Sequence, residues 1–440
     1  MIADSLRYDS VYDQGIGMPY VQKTATSFTE ARSAGCWTLP ATASMFTGLV
    51  PHEHGASSQT RNIHKDIPTL ATQMKAAGYN TYQVTANVAT THIFGLDRGF
   101  DEVRRIWKYV PPKFNTLQKL IVLFGKPRLR AKLFSRDLLM QRMSEDMESA
   151  KTWLQQTYQD IFDQARKIIE ENEAKGQKSF IFLNMMETHF PYHIAPTFQT
   201  STPGMINKIK EVRSMFHMLN QTFLKQENDP IKDSMKPVLK NRQYLAWKDM
   251  AASVDSFCKE MHEGTGNLVV FGSDHGETFG EDNWMYHFSN VTDGGNKVPM
   301  FWMSPNETQS KVIDDSVSVR HIYNSFMKAI GQETNGPSML HDPERSLPVV
   351  SSYWYNNKGK TLDKYRYNQM CLVLDKERYR LRNGEWAVAP FAQNGQEPTF
   401  TSLGVGTNPL HELSLPSETK KECLKKVEDF TAFSDTISFK

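Results

Sequence analysis

Two stretches of the chain place metal-ligand side chains directly after apolar residues. Asp274 and His275 follow the apolar run at 268–271, and Asp4 follows the apolar pair at 2–3. Carboxylate oxygens and imidazole nitrogens bind divalent cations such as Ca, Mg, Mn and Zn, so the pattern indicates a metal site. A helix-capping aspartate beside an incidental histidine is the alternative for the second stretch, and the carboxylate at position 4 disfavours it.

Two nucleophilic side chains lie close together in the stretch 35–55, GCWTLPATASMFTGLVPHEHG. Cys36 and Thr38 precede Pro40, which is typical of the first turn of a helix. If Thr38 begins that helix, the helix N-terminus favours an anion beside its hydroxyl. A bound metal ion lowers the pKa of a coordinated water to roughly 7 and would act similarly on a hydroxyl. The alternatives are a helix cap for Thr38 and a buried, inert thiol for Cys36.

The elements that must position these residues follow a repeated order of helix, glycine, apolar strand and polar loop. Strands are predicted at 81–85, 180–183 and 268–271, each after a helical stretch. This order predicts an α/β fold with helices on both faces of a mostly parallel sheet. Functional residues are then expected where the strands end, as at Asn87 and His189.

The remaining segments predict two insertions and a separate C-terminal part. Residues at about 103–145 and 200–245 do not follow the strand–helix order. After about 340 apolar and polar residues alternate, with a turn signal at Asn383-Gly384, and a helix is expected near 417–430. We therefore expect a catalytic domain over 1–340 and a small subdomain with antiparallel strands and a terminal helix over 341–440.

Composition excludes several classes of protein. The 440 residues carry a formal net charge of +2, which gives no general attraction for nucleic acid. Four scattered cysteines indicate neither a disulfide framework nor a zinc ribbon. No apolar run approaches the ~20 residues of a membrane span, and no signal peptide precedes Asp4, so a cytoplasmic location is expected. The basic run at 125–136 is a solvated helix face or, alternatively, a lip that attracts a polyanion or phospholipid surface. The sequence does not define the oligomeric state.

These motifs resemble the sulfatase family of the alkaline-phosphatase-like superfamily. The opening MIADSLRYD resembles the first metal motif of the family, and SDHGE at 273–277 resembles the second. Further similar segments span most of the chain, at 78–81, 95–101, 186–192, 298–302 and 407–412. The resemblance implies an alkaline-phosphatase-like α/β/α sandwich with a small C-terminal α+β subdomain.

The resemblance assigns the nucleophile position. The family motif is Cys or Ser, any residue, Pro, Ser-Arg and, farther on, Thr-Gly. Thr47-Gly48 and Pro40 set the register, which places Thr38 at the nucleophile position and Cys36 two residues too early. Thr42 stands where the family has its supporting Arg. A threonine cannot yield the formylglycine hydrate used on sulfate esters, but it can act as an alkoxide, as in the phosphodiesterase and phosphotransferase branches.

The resemblance also implies substrate-contacting residues. His189 matches the family's substrate-contacting His, and His287 lies where the family often has a Lys. Asn87 lies where many sulfatases carry a Lys, so a neutral amide replaces a cation there. A neutral group exerts less pull on a dianion, which favours diesters or a different head group.

One divalent ion is expected, because the additional ligands of two-metal relatives are missing from 187–189. Its ligands would be Asp4, Thr38, Asp274 and His275, with Asp9 as a weaker candidate. The set does not choose among Ca, Mg, Mn and Zn.

The function expected from the sequence is a metal-dependent hydrolase that cleaves a sulfate or phosphate ester, as a sulfuric ester or phosphodiester hydrolase, through a metal-bound Thr38 nucleophile. Its partner would be an anionic ester, such as a sulfated or phosphorylated glycan or a lipid head group, and not a nucleic acid. The alternatives are a phosphoryl or head-group transferase of the same superfamily and an inactive sulfatase-like binding protein.

Overall fold

The central sheet has eight strands, five of whose seven pairings are parallel. The computed structural model describes residues 1–106, 157–190, 192, 233–352, 367–391 and 398–437, except positions 13, 14, 16, 59, 289, 306 and 308. The strands of this sheet are β1 Ile2–Ala3, β2 Thr26–Arg32, β3 Asn80–Thr85, β4 Glu102–Arg105, β5 Ser179–Met185, β6 Val269–Gly272, β9 Met300–Met303 and β10 Lys311–Ser318. Their order is β10-β2-β9-β6-β1-β5-β3-β4. Two short strands, β7 Thr278–Phe279 and β8 Met285–Tyr286, form a separate antiparallel hairpin.

Helices cover both faces of this sheet. The α-helices of the described residues, on this sheet and elsewhere, are α1 Tyr8–Tyr12, α2 Pro19–Thr24, α3 Thr38–Thr47, α4 Pro51–His54, α5 Leu70–Ala76, α6 Thr157–Glu173, α7 Lys236–Lys259, α8 Asp293–Asn296, α9 Ile322–Ala329 and α10 Ser417–Ile437. Helices α6 and α7 pack on one face through Phe162 and Phe257, whose rings stack at 4.1 Å. Helix α3 packs on the other face through Phe46, which lies edge-on to Phe182 of β5. The predicted α/β/α sandwich with a mostly parallel sheet is confirmed.

The described parts of the two predicted insertions are regular elements. Residues 103–105 belong to β4, which extends the sheet beside β3, and residues 236–245 form the first half of α7. In that half Leu239 is fully buried, which fixes the helix against the rest of the molecule. Helix α7 begins well before the apolar spacing that starts at Trp247, and the assignment of both segments as insertions stays a prediction. The other residues of both insertions, including the basic run at 125–136, lie outside the described residues.

A second sheet of five antiparallel strands follows the first. Its strands are β11 Val349–Ser352, β12 Gln369–Leu374, β13 Glu377–Arg382, β14 Glu385–Pro390 and β15 Thr401–Val405. The turn between β13 and β14 is Asn383-Gly384, with positive φ at both residues, as a two-residue hairpin turn requires. Helix α10 packs on this sheet through Cys423 and Phe430. The boundary near residue 340 stays a prediction.

A buried ionic contact joins the two sheets. Asp293, the first residue of α8, contacts the guanidinium of Arg32 from β2 and lies 3.4 Å from that of Arg378 from β13. Both arginine side chains are almost fully buried. Removal of one partner of a buried ion pair leaves an uncompensated charge, which is more costly than the pair itself is favourable.

Asp293→Ala is therefore expected to lower the free energy of unfolding by about 3–5 kcal/mol, measured by urea denaturation. Asp233→Ala is the matched control, since Asp233 is 95% exposed and forms a surface ion pair with Lys236, and its effect should stay within about 0.5 kcal/mol. Equal midpoints for both variants would show that Asp293 does not hold the two sheets together.

Within the described part of the chain, no helix combines the length and apolar character needed to cross a membrane.

Candidate metal centre and nucleophile

Neighbouring strands deliver the three ligand-type side chains to one point. Strand β1 lies beside β6, so Asp4 after the first strand meets Asp274 and His275 after the second. The Ser5 amide donates to Asp274 Oδ1 at 3.2 Å and ties the two loops together. One ligand atom from each of the three residues lies within 4.8 Å of the others, and all three side chains are fully buried.

The donor atoms fit a divalent cation. Among the described residues, Asp274 Oδ2 and His275 Nε2 are buried without a hydrogen-bond partner. His275 Nδ1 lies 2.7 Å from the Gly276 carbonyl, to which it can only donate. That contact leaves the lone pair of the neutral ring on Nε2, which lies 3.7 Å from Asp4 Oδ1 and 3.5 Å from Asp274 Oδ2. Two carboxylates and one imidazole lone pair directed at one another are a suitable donor set for such an ion.

The electrostatics of the cluster point the same way. Burial and the charge of Asp4 raise the pKa of Asp274 well above its ordinary value. Burial lowers the pKa of His275, which keeps the ring neutral and able to act as a ligand. Without a cation these groups therefore favour a proton on Asp274, and cation binding would displace that proton.

Thr38 lies beside this cluster at the start of a helix. It is the first residue of α3, and the preceding Trp37 occupies the N-cap position, so the capping alternative for Thr38 is wrong. The Thr38 hydroxyl donates to Asp4 Oδ2 at 3.4 Å. The Asn87 amide donates to the same carboxylate oxygen at 2.6 Å and to Thr38 Oγ1 at 3.3 Å. Asn87 thus links the hydroxyl to a carboxylate of the cluster, while the roles of both residues stay predictions.

Cys36 is held elsewhere. Its thiol is fully buried and donates to the Phe288 carbonyl, and its own carbonyl accepts from the Phe288 amide at 3.0 Å. Burial raises the pKa of the Cys36 thiol to about 11, so little thiolate forms at neutral pH. These contacts give Cys36 a structural role and leave Thr38 as the nucleophile candidate.

Asp9 does not join the cluster. Arg7 binds its carboxylate through two nitrogens, at 2.8 and 2.6 Å, and Lys240 approaches it to 2.6 Å. The weaker prediction of Asp9 as a metal ligand was wrong, because two cations already neutralise this carboxylate. Glu187, which also follows a strand, accepts from Thr157 at the start of α6 and likewise lies apart from the cluster.

His189 and His287 form a row of imidazoles with His275 of the cluster. The ring centroid of His287 lies 4.8 Å from that of His275 and 5.1 Å from that of His189. Nδ1 of His189 contacts the Phe190 carbonyl at 2.8 Å. Burial lowers the pKa of both His189 and His287, and for His287 the two neighbouring imidazoles lower it further. Both rings therefore favour the neutral form in the metal-free protein.

Two residues near this row received no role from the sequence. Glu277 contacts Nδ1 of His287 at 3.0 Å, and Tyr192 donates to the other oxygen of the same carboxyl group at 3.1 Å. Thr42, at the position of the family's Arg, has a buried hydroxyl with no hydrogen-bond partner among the described residues. Glu277 was visible in the second metal motif, but nothing in the sequence showed its partner.

A mostly parallel sheet between two helical layers, with a carboxylate–imidazole cluster and a helix-start hydroxyl at the strand ends, defines an alkaline-phosphatase-like fold. A family model described as Sulfatase matches residues 1–332, so the chain belongs to the sulfatase family. The resemblance stated from the motifs is confirmed, and the family supports an ester hydrolase. Among curated proteins, none matches the sequence.

Several solved structures share the fold at low sequence identity. The phosphonate monoester hydrolase of Agrobacterium radiobacter is 14% identical with a TM-score of 0.62, over 99% of this chain and 94% of that one. BT4656, solved with D-glucosamine-2-N,6-O-disulfate, is 15% identical with a TM-score of 0.57, over 99% and 97%. The lipoteichoic acid synthase LtaP of Listeria monocytogenes is 13% identical with a TM-score of 0.53, over 99% and 91%. At these identities the likeness concerns the fold alone.

Proposed function

We propose that this protein cleaves a phosphorus ester carrying one negative charge, with Thr38 as the nucleophile and a divalent cation held by Asp4, Asp274 and His275. The observation that carries the proposal is the Thr38 hydroxyl at the first position of α3, facing Asp4 within 3.4 Å. A helix N-terminus favours negative charge on that oxygen and on a bound ester.

The threonine favours phosphorus over sulfur. Formylglycine sulfatases release sulfate through an aldehyde hydrate, and a threonine side chain cannot form one. A phosphothreonine, in contrast, can be attacked at phosphorus by water or by another hydroxyl, which regenerates the enzyme. A Thr38 nucleophile therefore fits a phosphate or phosphonate ester better than a sulfate ester.

The charge of the site favours a monoanion. The Thr38 hydroxyl hydrogen-bonds to a neutral amide and a carboxylate, those of Asn87 and Asp4. His189 and His287 favour their neutral forms. The bound cation would then be the main positive charge, and it would balance a diester or phosphonate monoester better than a dianionic phosphate monoester.

In the first step the oxygen of Thr38 attacks phosphorus while the bond to the departing alcohol breaks. A cation held by Asp4, Asp274 and His275 would supply Lewis acidity, which would favour deprotonation of the hydroxyl and offset the negative charge of the ester. Thr38 loses one proton in this step, and the departing alcohol gains one. We assign its transfer to Nε2 of His189 and His287, because Nδ1 of each ring is engaged by Phe190 and by Glu277.

In the second step water attacks the phosphothreonine and returns a proton to Thr38. Asn87 holds the Thr38 oxygen toward Asp4 in both steps, through the two hydrogen bonds of its amide. An acceptor hydroxyl in place of water would make the same protein a transferase, and the product distribution distinguishes the two outcomes.

A panel of p-nitrophenyl esters tests the proposal after chelation and reloading with Mn, Ca, Mg or Zn. At pH 8, kcat/KM for bis-p-nitrophenyl phosphate and p-nitrophenyl phenylphosphonate should exceed that for p-nitrophenyl phosphate and p-nitrophenyl sulfate by about 100-fold, or about 2.7 kcal/mol. Because the four esters release the same p-nitrophenol, they are compared mainly by their net charge and by whether the central atom is phosphorus or sulfur. Preference for the sulfate or the dianion would refute the proposal, and no turnover of any ester would favour the binding-protein alternative. Added glycerol would reveal transfer as a glycerol ester.

A further inference from the structure

The hairpin of β7 and β8 places a carboxyl group opposite His287. Thr278 pairs with Tyr286 across this hairpin, so the next facing positions are Glu277 and His287. Their side chains meet there, with Oε1 of the carboxyl group 3.0 Å from Nδ1 of the ring. Both side chains are buried, and facing residues of an antiparallel pair are held at short distance by the backbone.

The carboxyl group of Glu277 is itself held from other directions. The Tyr192 hydroxyl donates to its Oε2 at 3.1 Å. The guanidinium of Arg7 donates to the backbone carbonyl of Glu277. A buried carboxyl group held at both oxygens has little freedom to move, so the ring that it contacts is held in one orientation.

The backbone around His287 is also fixed in an unusual conformation. Tyr286 has φ +71° and Phe288 has φ +98°, values that side-chain-bearing residues rarely adopt. Phe288 is held by the paired contacts with Cys36 and by the Ser352 hydroxyl, which donates to the Phe288 carbonyl at 3.0 Å. Strained backbone of this kind persists only where the surrounding structure maintains it, and it is concentrated at functional sites.

We propose that Glu277 is the positioning residue of His287: by binding Nδ1 it orients the ring so that Nε2 is the nitrogen available to the ester. The inference rests on the proposed function only in giving Nε2 an ester to act on. The ring of His287 lies between those of His275 and His189, so Nε2 would work beside the cation site.

A double-mutant cycle tests whether Glu277 acts through His287. Glu277→Leu should lower kcat for the diester about 100-fold with KM changed less than about threefold. Glu277→Gln retains a hydrogen-bonding partner for Nδ1 and should lose less than about tenfold. In a His287→Ala background, Glu277→Leu should cause no further loss, because its target is absent. An equal loss in both backgrounds would make Glu277 merely structural and overturn the proposal.

A second readout does not depend on turnover. Two-dimensional ¹H–¹⁵N spectra of the histidine rings report the hydrogen bonding of each nitrogen. Glu277→Leu should shift Nδ1 of His287 while leaving His189 unchanged, because Nδ1 of His189 contacts the Phe190 carbonyl instead. An unshifted His287 would refute the positioning role even in a protein that cleaves no ester. A shifted His287 in an inactive protein would refute the proposed function alone.

Discussion

Replacement of Thr38 by alanine is expected to lower kcat/KM for bis-p-nitrophenyl phosphate by at least about 10⁴-fold. In the proposed mechanism this substitution removes the covalent nucleophile and with it the reaction path. The neighbouring Asp4 carboxylate would not replace it, because the proposal assigns that group to the cation. The substitution removes the hydroxyl and the γ-methyl group, and the first turn of α3 keeps its backbone hydrogen bond from the Ala41 amide to the Trp37 carbonyl. Steady-state kinetics with the metal-loaded protein measure the effect.

Two control variants separate the nucleophile from its surroundings. Thr38→Ser keeps the hydroxyl and should retain turnover within about 100-fold of the unmodified protein. Cys36→Ala removes the other nucleophilic side chain of the stretch and should leave most of the activity. Rapid quenching followed by mass spectrometry should find the phosphoryl adduct on residue 38 only. Turnover that survives Thr38→Ala and disappears in Cys36→Ala would overturn the register derived from Pro40 and Thr47-Gly48.

The sequence predicted those parts of the fold that local hydrophobic pattern determines. The strands after Gly78 and Gly176 are recognisable, because each glycine has positive φ just after a helix and is followed within a few residues by a strand. The convergence of the three candidate ligands was also predictable, since parallel strands bring their carboxyl ends to the same edge of a sheet. For Asp4, Asp274 and His275 the structure shows the expected convergence.

Contacts between distant residues could not be predicted in the same way. Lys240 neutralises Asp9 from α7, and no local pattern relates two positions so far apart. Strands β7 and β8 have two residues each, which is too few to show any periodicity. The sequence therefore gave no indication that Glu277 and His287 face each other. Hydrophobic spacing at one end of α7 likewise did not reveal how far the helix extends toward residue 236.

Asp274→Asn is expected to have opposite effects on the metal-free and the metal-loaded protein. Burial and the charge of Asp4 raise the folded-state pKa of Asp274 above its unfolded value of about 4. A carboxyl group whose pKa is raised in the folded state contributes its full stabilisation below the pKa of the unfolded state. That contribution is lost as the pH rises through the pKa of the folded state. In EDTA, the neutral amide should therefore make the variant more stable than the unmodified protein at pH 8, with a difference that shrinks toward pH 5. Thermal unfolding at both pH values measures the change.

Addition of a divalent cation should reverse the order of stability. A ligand at 100 times its dissociation constant stabilises the native state by about 2.7 kcal/mol, and the unmodified protein should gain about that much. The variant keeps Asp4 and His275 but lacks one charged ligand, so it should gain far less, and its kcat/KM should fall by about 10³-fold or more. Asp9→Asn is the matched control, because Arg7 and Lys240 already bind that carboxylate outside the cluster and its loss should not alter the stabilisation by metal. Equal stabilisation of the unmodified protein and Asp274→Asn by every cation would contradict the prediction. It would mean that a proton alone reduces the repulsion between the buried carboxylates of Asp4 and Asp274. The cluster would then no longer explain how the Thr38 hydroxyl becomes a nucleophile.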